Sequence, residues 1–295
     1  MKPMLNHFIV ITLRCGVASA LLSVASAFAA EPTYQDIEYA RVGDVSLKLD
    51  LYLPKQANAP LVVYVHGGAW RAGSKSGVPI VKLLDHGCAI ASVDYRLSTQ
   101  APFPAQVHDI KAAIRFLRAS SEQFDISTRC IAIIGSSAGG HLAALVGVTN
   151  GDKELEGNVG GHLDQCSKVQ CIVSLYGASN LQTILSQSTE TGLKMRVPAL
   201  RLLLGGQPTE KPELAKLASP VVHLDKHDPP LLLIHGDSDP QMPPQQSREF
   251  AETYRALSLP VEFIIVAGGK HGGAEFYDTE RTTKMALFLK PHLQR

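Results

Sequence analysis

The stretch IAIIGSSAGGHLAAL, residues 131–145, joins an apolar run of strand length to an alanine-rich helical segment through two adjacent serines. Gly135, Ser137 and Gly139 have the spacing G-x-S-x-G, and Ser136 lies outside that frame. A strand that passes straight into a helix at this spacing holds the serine in a sharp turn and presents its hydroxyl at the carboxyl edge of the sheet. The pattern predicts that Ser137 is a nucleophile; the alternative is that both serines are ordinary turn residues or helix caps.

Apolar runs of strand length alternate with helical patterns along the rest of the chain. The runs are LVVYV, AIASVDYRL, CIAIIG, VQCIVSLYG, LLLIHGDSD and VEFIIVAGG, each ended by glycine or a polar cluster. Between them, apolar side chains recur every three to four residues over 103–119, 138–148, 243–257 and 274–293, as in amphipathic helices. This alternation predicts an α/β fold with a mostly parallel central sheet and crossover helices on both faces.

Two segments depart from this alternation. Residues 45–53, VSLKLDLYL, alternate strictly between apolar and polar positions, which predicts an antiparallel N-terminal hairpin with its turn near Gly43 and Asp44. Residues 180–206 insert a polar stretch with a leucine-rich end between two strands. We expect a small helical lid there, and the alternative is an ordinary long crossover.

The first 29 residues have the features of an export signal. Lys2 and Arg14 precede an apolar stretch without acidic residues, which ends in Ala27-Phe28-Ala29, a small-x-small cleavage pattern. About fifteen apolar residues are short for a membrane span of roughly twenty, so a cleaved signal is favoured over a membrane anchor. We therefore expect a signal peptide at 1–29, a single α/β domain at 30–295, and a protein that is periplasmic or secreted.

The composition excludes several kinds of partner. The chain has 295 residues, 45% of them apolar and 19% charged, which suits one large globular domain. Its 28 Lys and Arg are balanced by 27 Asp and Glu, so no basic excess would attract nucleic acid. After the leader no segment is apolar enough for stable membrane association. No His, Cys, Asp and Glu residues have metal-site spacing, so we expect neither a metal nor another cofactor.

Four cysteines follow the leader, an even number that is compatible with disulfides in an oxidising compartment. Cys166 and Cys171 lie five residues apart where a loop enters a strand, and a local disulfide between them is one hypothesis. Cys88 and Cys130 begin separate apolar runs and are expected to be small buried apolar groups.

A serine nucleophile requires a base and usually an acid that orients the base. Of eleven histidines, His271 is the candidate, because it lies in the glycine-rich stretch VAGGKHGG directly after the last apolar run. The acid should follow the preceding strand, where Asp237 and Asp239 are equally compatible with the turn residues around them.

Together these motifs resemble the α/β-hydrolase family, and within it the esterases of the hormone-sensitive-lipase and bacterial feruloyl-esterase-like type. The resemblance is carried, in order along the chain, by HGGAW (66–70), DYRL (94–97), GSSAGG (135–140), HGDSDPQMP (235–243) and KHGG (270–273). It implies that Asp239 is the acid of a Ser137–Asp239–His271 triad and that Asp237 bonds backbone in the turn.

The resemblance also assigns the surroundings of the triad. It implies that the backbone N–H groups of Gly67, Gly68 and Ala138 form an oxyanion hole. Many relatives have Asp at Ser136 and Val at Met242, so we expect these positions to influence the substrate pocket. Trp70 is expected to be either a pocket wall or an anchor of its loop.

The expected activity is hydrolysis of short-chain or aromatic esters, of the acetyl or feruloyl kind, through an acyl-enzyme. The expected substrate is a small-molecule ester or an ester linked to a polysaccharide, by analogy with the family. An amidase or formamidase would use the same triad, and the fold can also host a catalytically silent binding module.

Overall fold

An eight-stranded sheet forms the centre of the fold in the computed structural model, which describes residues 31–294. The predicted signal peptide lies outside the described residues. The strands, numbered in chain order, are β1 (Tyr34–Val42), β2 (Val45–Tyr52), β3 (Ala59–Val65), β4 (Ala89–Val93), β5 (Ile126–Ser136), β6 (Cys171–Leu175), β7 (Leu231–Gly236) and β8 (Val261–Val266).

The sheet has the strand order β1-β2-β4-β3-β5-β6-β7-β8. The strictly alternating β2 pairs antiparallel with β1 and with β4, which confirms the predicted hairpin. All pairs from β4–β3 to β7–β8 are parallel. Because parallel strands share one carboxyl edge, the loops after β3, β5, β7 and β8 emerge on the same side of the sheet.

Helices cover both faces of the sheet, as the alternation predicted. They are α1 (Ala105–Ala119), α2 (Ala138–Val148), α3 (Lys153–Glu156), α4 (Ile184–Gln187), α5 (Glu190–Leu204), α6 (Pro212–Leu217), α7 (Gln245–Ala256) and α8 (Thr279–Leu293). Short 3-10 turns lie at Val81–His86, Pro220–Val222 and Ala274–Phe276. None of the helices within residues 31–294 has the length and hydropathy that a membrane crossing would need.

Alternate residues of the central strands supply two separate apolar clusters. Leu61, Val63 and Val65 of β3 pack on one face with α1, α2 and α7, and Val62 and Tyr64 pack on the other face with α8. Every residue of α2 is buried, which explains why its sequence is apolar on all sides. This buried helix follows directly after Ser137 and so fixes the end of β5.

The last predicted helix begins later than its apolar spacing indicated. Residues 274–276 form a 3-10 turn, and α8 starts only at Thr279 because the side chain of Asp278 accepts a hydrogen bond from the N–H of Arg281 and caps the helix. The segment 180–206 contains α4 and α5, so it is helical as expected.

The hypothesis of a Cys166–Cys171 disulfide is wrong in this structure. Cys171 is the first residue of β6, and its thiol is buried in the apolar cluster on the α8 face of the sheet, whereas Cys166 is exposed in the preceding loop; both are free thiols. The register of β6 places Cys171 opposite Ala132 of β5, and both residues belong to that buried cluster.

Candidate active site

Ser137 occupies a tight turn between β5 and α2. Its backbone has φ 54° and ψ −120°, a strained conformation for a residue with a side chain. A Cβ atom on Gly135 would lie 2.1 Å from the carbonyl oxygen of Gly139, and one on Gly139 would lie 2.0 Å from that of Val65. Only glycine permits these approaches. The G-x-S-x-G spacing is therefore a packing requirement of the turn.

The hydroxyl of Ser137 does not cap helix α2. Its side chain makes no capping hydrogen bond to α2, and its Oγ lies 2.8 Å from Nε2 of His271. Nδ1 of His271 lies 2.7 Å from Oδ2 of Asp239. A carboxylate accepts hydrogen bonds, so Nδ1 carries the proton and Nε2 is free to accept from the serine hydroxyl. The structure thus brings together the three residues that the sequence singled out.

Asp239 is held as a charged acceptor after β7. Its Oδ1 accepts hydrogen bonds from the backbone N–H groups of Gln241 and Met242, at 2.8 and 2.9 Å. A second histidine, His235, places Nε2 3.3 Å from Oδ2. Burial alone would raise the pKa of Asp239, but the hydrogen bonds from His235 and His271 hold it well below its usual range. The carboxylate therefore stays ionised beside His271.

Asp237, two residues earlier, has a different environment. Its Oδ1 accepts from the backbone N–H of Gly268 at 2.8 Å and from the hydroxyl of Ser238, and it makes no hydrogen bond to His271. This contact ties the turn after β7 to the turn after β8. The structure therefore separates the two aspartates that turn chemistry alone could not distinguish.

The loop after β3 approaches the serine from the other side. A Cβ atom on Gly67 would lie 3.3 Å from the Cβ of Ser137. Within residues 31–294, the backbone N–H groups of Gly67, Gly68 and Ala138 donate to no other backbone group. Ala138 is also the first residue of α2, whose dipole favours negative charge at this end. Gly67 and Gly68 also line the cavity above Ser137, and the oxyanion role of these three N–H groups remains a prediction.

Trp70 anchors this loop and does not form a pocket wall. Its side chain is fully buried, and Nε1 donates to Nδ1 of His141 in α2 at 3.1 Å. Indole N–H groups only donate, so Nδ1 of His141 is unprotonated and Nε2–H donates to the carbonyl of Ala218 at 2.7 Å. The anchor holds Ala69 and Trp70 at φ 51° and 60°, which are unfavourable values for these residues.

A cavity of about 420 Å³ opens above Ser137 and His271. The loop after β3, the turn at Ser136 and helix α5 supply most of its wall; the lining residues are Gly67, Gly68, Ala69, Arg71, Ala72, Ser136, Ser137, Tyr176, Met195, Arg196, Gln241 and His271. Two residues of the predicted lid segment, Met195 and Arg196, are among them. Ser136 also lines the cavity, and its Oγ lies 3.0 Å from the hydroxyl of Tyr64.

Met242 is not part of this wall, contrary to expectation. It is fully buried, its N–H donates to Asp239, and its carbonyl accepts from His235. Met242 thus contributes to the site by supporting the acid. The methionine in the cavity wall is instead Met195 of α5. Its sequence indicates a helix but not that the helix lies close to Ser137.

Tyr176 was also absent from the expectations. It follows β6 with φ 40°, its ring packs edge-on against His271 at a centroid distance of 5.0 Å, and its hydroxyl lies 2.6 Å from that of Tyr277. The position directly after a parallel strand was the available signal, because that edge of the sheet carries the other site residues.

The chain matches the BD-FAE family model over residues 49–254. Among curated proteins, it is 32% identical over 239 residues to the esterase LipC of Mycobacterium tuberculosis. That alignment covers 78% of this chain and 58% of LipC, so the chain spans less than two thirds of the length of this relative.

Two solved structures are similar over most of the chain. A truncated carbohydrate esterase from gut microbiota aligns with a TM-score of 0.82 and 33% identity, covering 90% of this chain and 99% of that protein. A bifunctional GH43-CE protein of Bacteroides eggerthii aligns with a TM-score of 0.80 and 36% identity, covering 88% of this chain and 35% of that protein.

Proposed function

This chain belongs to the BD-FAE family of α/β-hydrolase esterases, and from that premise we propose that it is a serine carboxylesterase with Ser137, His271 and Asp239 as its catalytic triad. The observation that carries the proposal is the continuous path from Ser137 Oγ to His271 Nε2, at 2.8 Å, and from His271 Nδ1 to Asp239 Oδ2, at 2.7 Å. A serine that served only as a turn residue or a helix cap would not require hydrogen bonds to a histidine and an aspartate.

Acylation begins when Ser137 Oγ attacks the carbonyl carbon of the ester. The hydroxyl proton moves to Nε2 of His271, and the charge on the resulting imidazolium is stabilised by Asp239. Negative charge on the carbonyl oxygen is stabilised by the N–H groups of Gly67, Gly68 and Ala138, which need not reorganise. The ester C–O bond then breaks, and the alcohol leaves with the proton from Nε2.

Deacylation repeats these roles with water as the nucleophile. Water attacks the acyl-enzyme while His271 takes one of its protons, and the same N–H groups hold the second oxyanion. Collapse of this intermediate breaks the bond to Ser137 Oγ, which recovers the proton from His271. The products are a carboxylic acid and free enzyme.

The substrates we propose are short or aromatic esters of the acetyl or feruloyl kind, on small molecules or polysaccharides. Two structural relatives support a carbohydrate-linked ester, since one is a carbohydrate esterase and the other a bifunctional GH43-CE protein. A cavity of about 420 Å³ is towards the small end of ligand pockets, which argues against long acyl chains.

We further propose that the protein is exported. The support is the basic start, the apolar stretch and the Ala27-Phe28-Ala29 cleavage pattern at residues 1–29. Ester-linked plant polysaccharides are too large to enter a cell, so an enzyme that acts on them must be exported.

The test is a substrate panel with protein that starts at Ala30. We expect kcat/KM to be highest for 4-nitrophenyl acetate, propionate or butyrate and for methyl ferulate, and to fall steeply for octanoate and dodecanoate. Ser137→Ala is the blank, and 4-nitroacetanilide probes the amidase alternative. Preference for the anilide would favour the amidase, and turnover of both the esters and the anilide equal to that of the blank would leave only the binding-module alternative.

A further inference from the structure

The wall of the catalytic cavity carries two arginines and no carboxylate. Arg71 comes from the loop after β3 and Arg196 from α5, and none of the lining residues is Asp or Glu. The only other titratable side chains in the wall are His271 and Tyr176. The cavity therefore presents a positive surface next to Ser137.

Arg196 is buried without a partner. The residue is 1% exposed, its Nε is buried with no hydrogen bond, and no carboxylate within residues 31–294 forms an ion pair with it. Burial lowers the pKa of its guanidinium to about 10, and the charge of Asp239 opposes this shift. The group stays charged at neutral pH, and an unpaired buried charge is costly to a folded protein.

Asp239 cannot serve as the missing partner. Its Oδ1 already accepts from two backbone N–H groups, and its Oδ2 faces His271 and His235. The charge of Asp239 is felt by Arg196, but no hydrogen bond joins the two side chains.

One other arginine of the described residues is as deeply buried, and it is paired: Arg115, also 1% exposed, bonds the Glu156 carboxylate. Arg96, whose side chain is 13% exposed, makes hydrogen bonds to both oxygens of Asp109. Arg196 differs from both because it lines a cavity and has no carboxylate partner among the described residues.

Arg71 is similarly available. It is half-buried, and its one hydrogen-bond partner among residues 31–294 is the sulfur of Met195, a weak acceptor 3.8 Å from Nη2. Arg71 belongs to the loop after β3, and Arg196 belongs to α5. A ligand that bridged them would join these two elements over Ser137.

We propose that the ester hydrolysed by this enzyme carries a carboxylate, and that Arg196, assisted by Arg71, binds it. Guanidinium groups match the planar geometry of carboxylates and form two parallel charge-assisted hydrogen bonds with them. This inference rests on the proposed esterase function and names a substrate class for it. The carboxylate lies either on the acyl part or on the alcohol part of the ester, as in a hemiester or an acylated acidic sugar.

Two matched pairs of esters distinguish these sources. On the acyl side, mono-4-nitrophenyl succinate is compared with its neutral methyl ester; on the alcohol side, 4-acetoxybenzoate is compared with methyl 4-acetoxybenzoate. The enzymes are the wild type, Arg196→Met, which keeps much of the volume without the charge, and the control Arg201→Met, at an exposed position of α5.

In the wild type we expect higher kcat/KM for the anionic member of at least one pair. Arg196→Met should lower kcat/KM for that member roughly tenfold to a hundredfold and leave the neutral member within about threefold. Arg201→Met should leave both unchanged. Because the methionine removes an unpaired buried charge, its stability against urea should equal or exceed that of the wild type.

Three results would overturn the inference. The wild type could prefer the neutral member of both pairs, Arg196→Met could lower both members by the same factor, or it could destabilise the fold as loss of a structural arginine would. A different failure, in which the wild type hydrolyses none of the four esters faster than Ser137→Ala does, would refute the esterase itself.

Discussion

At the level of single residues, the environment of Asp239 determines which nitrogen of His271 carries the proton. Two backbone N–H groups and two histidines surround its carboxylate, whereas Asp237 bonds only a loop N–H and a serine hydroxyl. An ionised acceptor at Nδ1 keeps the proton there and leaves Nε2 of His271 free to act as a base.

We expect Asp239→Asn to reduce kcat for 4-nitrophenyl acetate by about ten thousandfold, because an amide at this position can donate to Nδ1 and stabilise the wrong tautomer. Asp237→Asn is the matched control; it keeps an oxygen acceptor for Gly268 and should retain at least about a tenth of the activity. Initial rates at pH 7.5 measure both. Equal losses would mean that Asp239 has no special role.

Some of these residues could be predicted from the sequence and others could not. Ser137 followed from the glycine spacing, and His271 from its place after the last strand. Asp239 was separable from Asp237 only by family resemblance, since both suit the turn. Arg196 gave no local signal, because its burial and its missing partner depend on how α5 folds over the sheet.

At the scale of elements, the junction of β5 with α2 depends on close backbone contacts. The start of α2 passes so near the end of β3 that a Cβ on Gly139 would lie 2.0 Å from the Val65 carbonyl oxygen. The same end of β3 leads into the loop that carries Gly67 and Gly68. Any displacement of α2 therefore moves the serine and the proposed oxyanion donors relative to each other.

Gly139→Ala should destabilise the protein by about 1–3 kcal/mol through overpacking, although alanine is the better helix former by about 1 kcal/mol. Activity should fall as well, because the tight turn that holds Ser137 must shift. Gly161→Ala is the control, because a Cβ there meets nothing within 4 Å. Urea unfolding measures both variants. A Gly139→Ala protein as stable as the control would contradict the packing account.

The elements themselves were largely predictable because their patterns are local. Strict alternation identified the β1–β2 hairpin, and apolar spacing identified α1, α2, α7 and α8, with α2 correct at both ends. The errors arose where long-range placement decides. Cys171 is buried in the apolar cluster and Cys166 is exposed, both as free thiols, and Met242 is buried and supports Asp239 through its N–H.

At the scale of the whole molecule, His141 connects three distant segments. From within α2 it accepts a hydrogen bond from Trp70 of the loop after β3 and donates to Ala218, between α6 and the 3-10 turn at Pro220–Val222. Burial lowers its pKa to about 4, and the backbone carbonyl of Ala218 partly opposes this shift. The neutral ring is therefore part of the folded state.

This linkage makes stability depend on pH. Above the ordinary histidine pKa of about 6.5 the ring is neutral in the folded and unfolded chains alike, so it costs nothing. As pH falls below that value, His141 becomes protonated in the unfolded chain, whereas in the folded chain it stays neutral until about pH 4. The folded state should lose about 2 kcal/mol from this group by pH 5.

His141→Gln retains an acceptor for Trp70 and a donor for Ala218 but does not titrate. Between pH 7.5 and pH 5, its free energy of unfolding should therefore fall by about 2 kcal/mol less than that of the wild type. Urea unfolding at the two pH values measures the difference, and carboxylates common to both proteins cancel. Equal losses in the two proteins would show that His141 is not the group concerned.

The topology gathers the chemistry at one edge of the sheet. Gly67 follows β3, Ser137 follows β5, Tyr176 follows β6, Asp239 follows β7 and His271 follows β8. Parallel pairing puts all five at the carboxyl edge, which is why the position of His271 after the last strand was a usable signal. Asp239 and Gly67 needed the family resemblance as well, and Tyr176 was not predicted. Helix α5 contributes a part of the cavity wall that strand order does not encode, namely Met195 and Arg196.

Turnover of 4-nitrophenyl acetate by Ser137→Ala and by Ser136→Ala shows which of the two adjacent serines is the nucleophile. Ser137→Ala should lose roughly four to six orders of magnitude in kcat. Ser136→Ala, which removes the hydrogen bond with Tyr64 but leaves Ser137 and His271 paired, should keep most of the activity. A wild-type rate in Ser137→Ala, or an equal collapse in Ser136→Ala, would contradict the account.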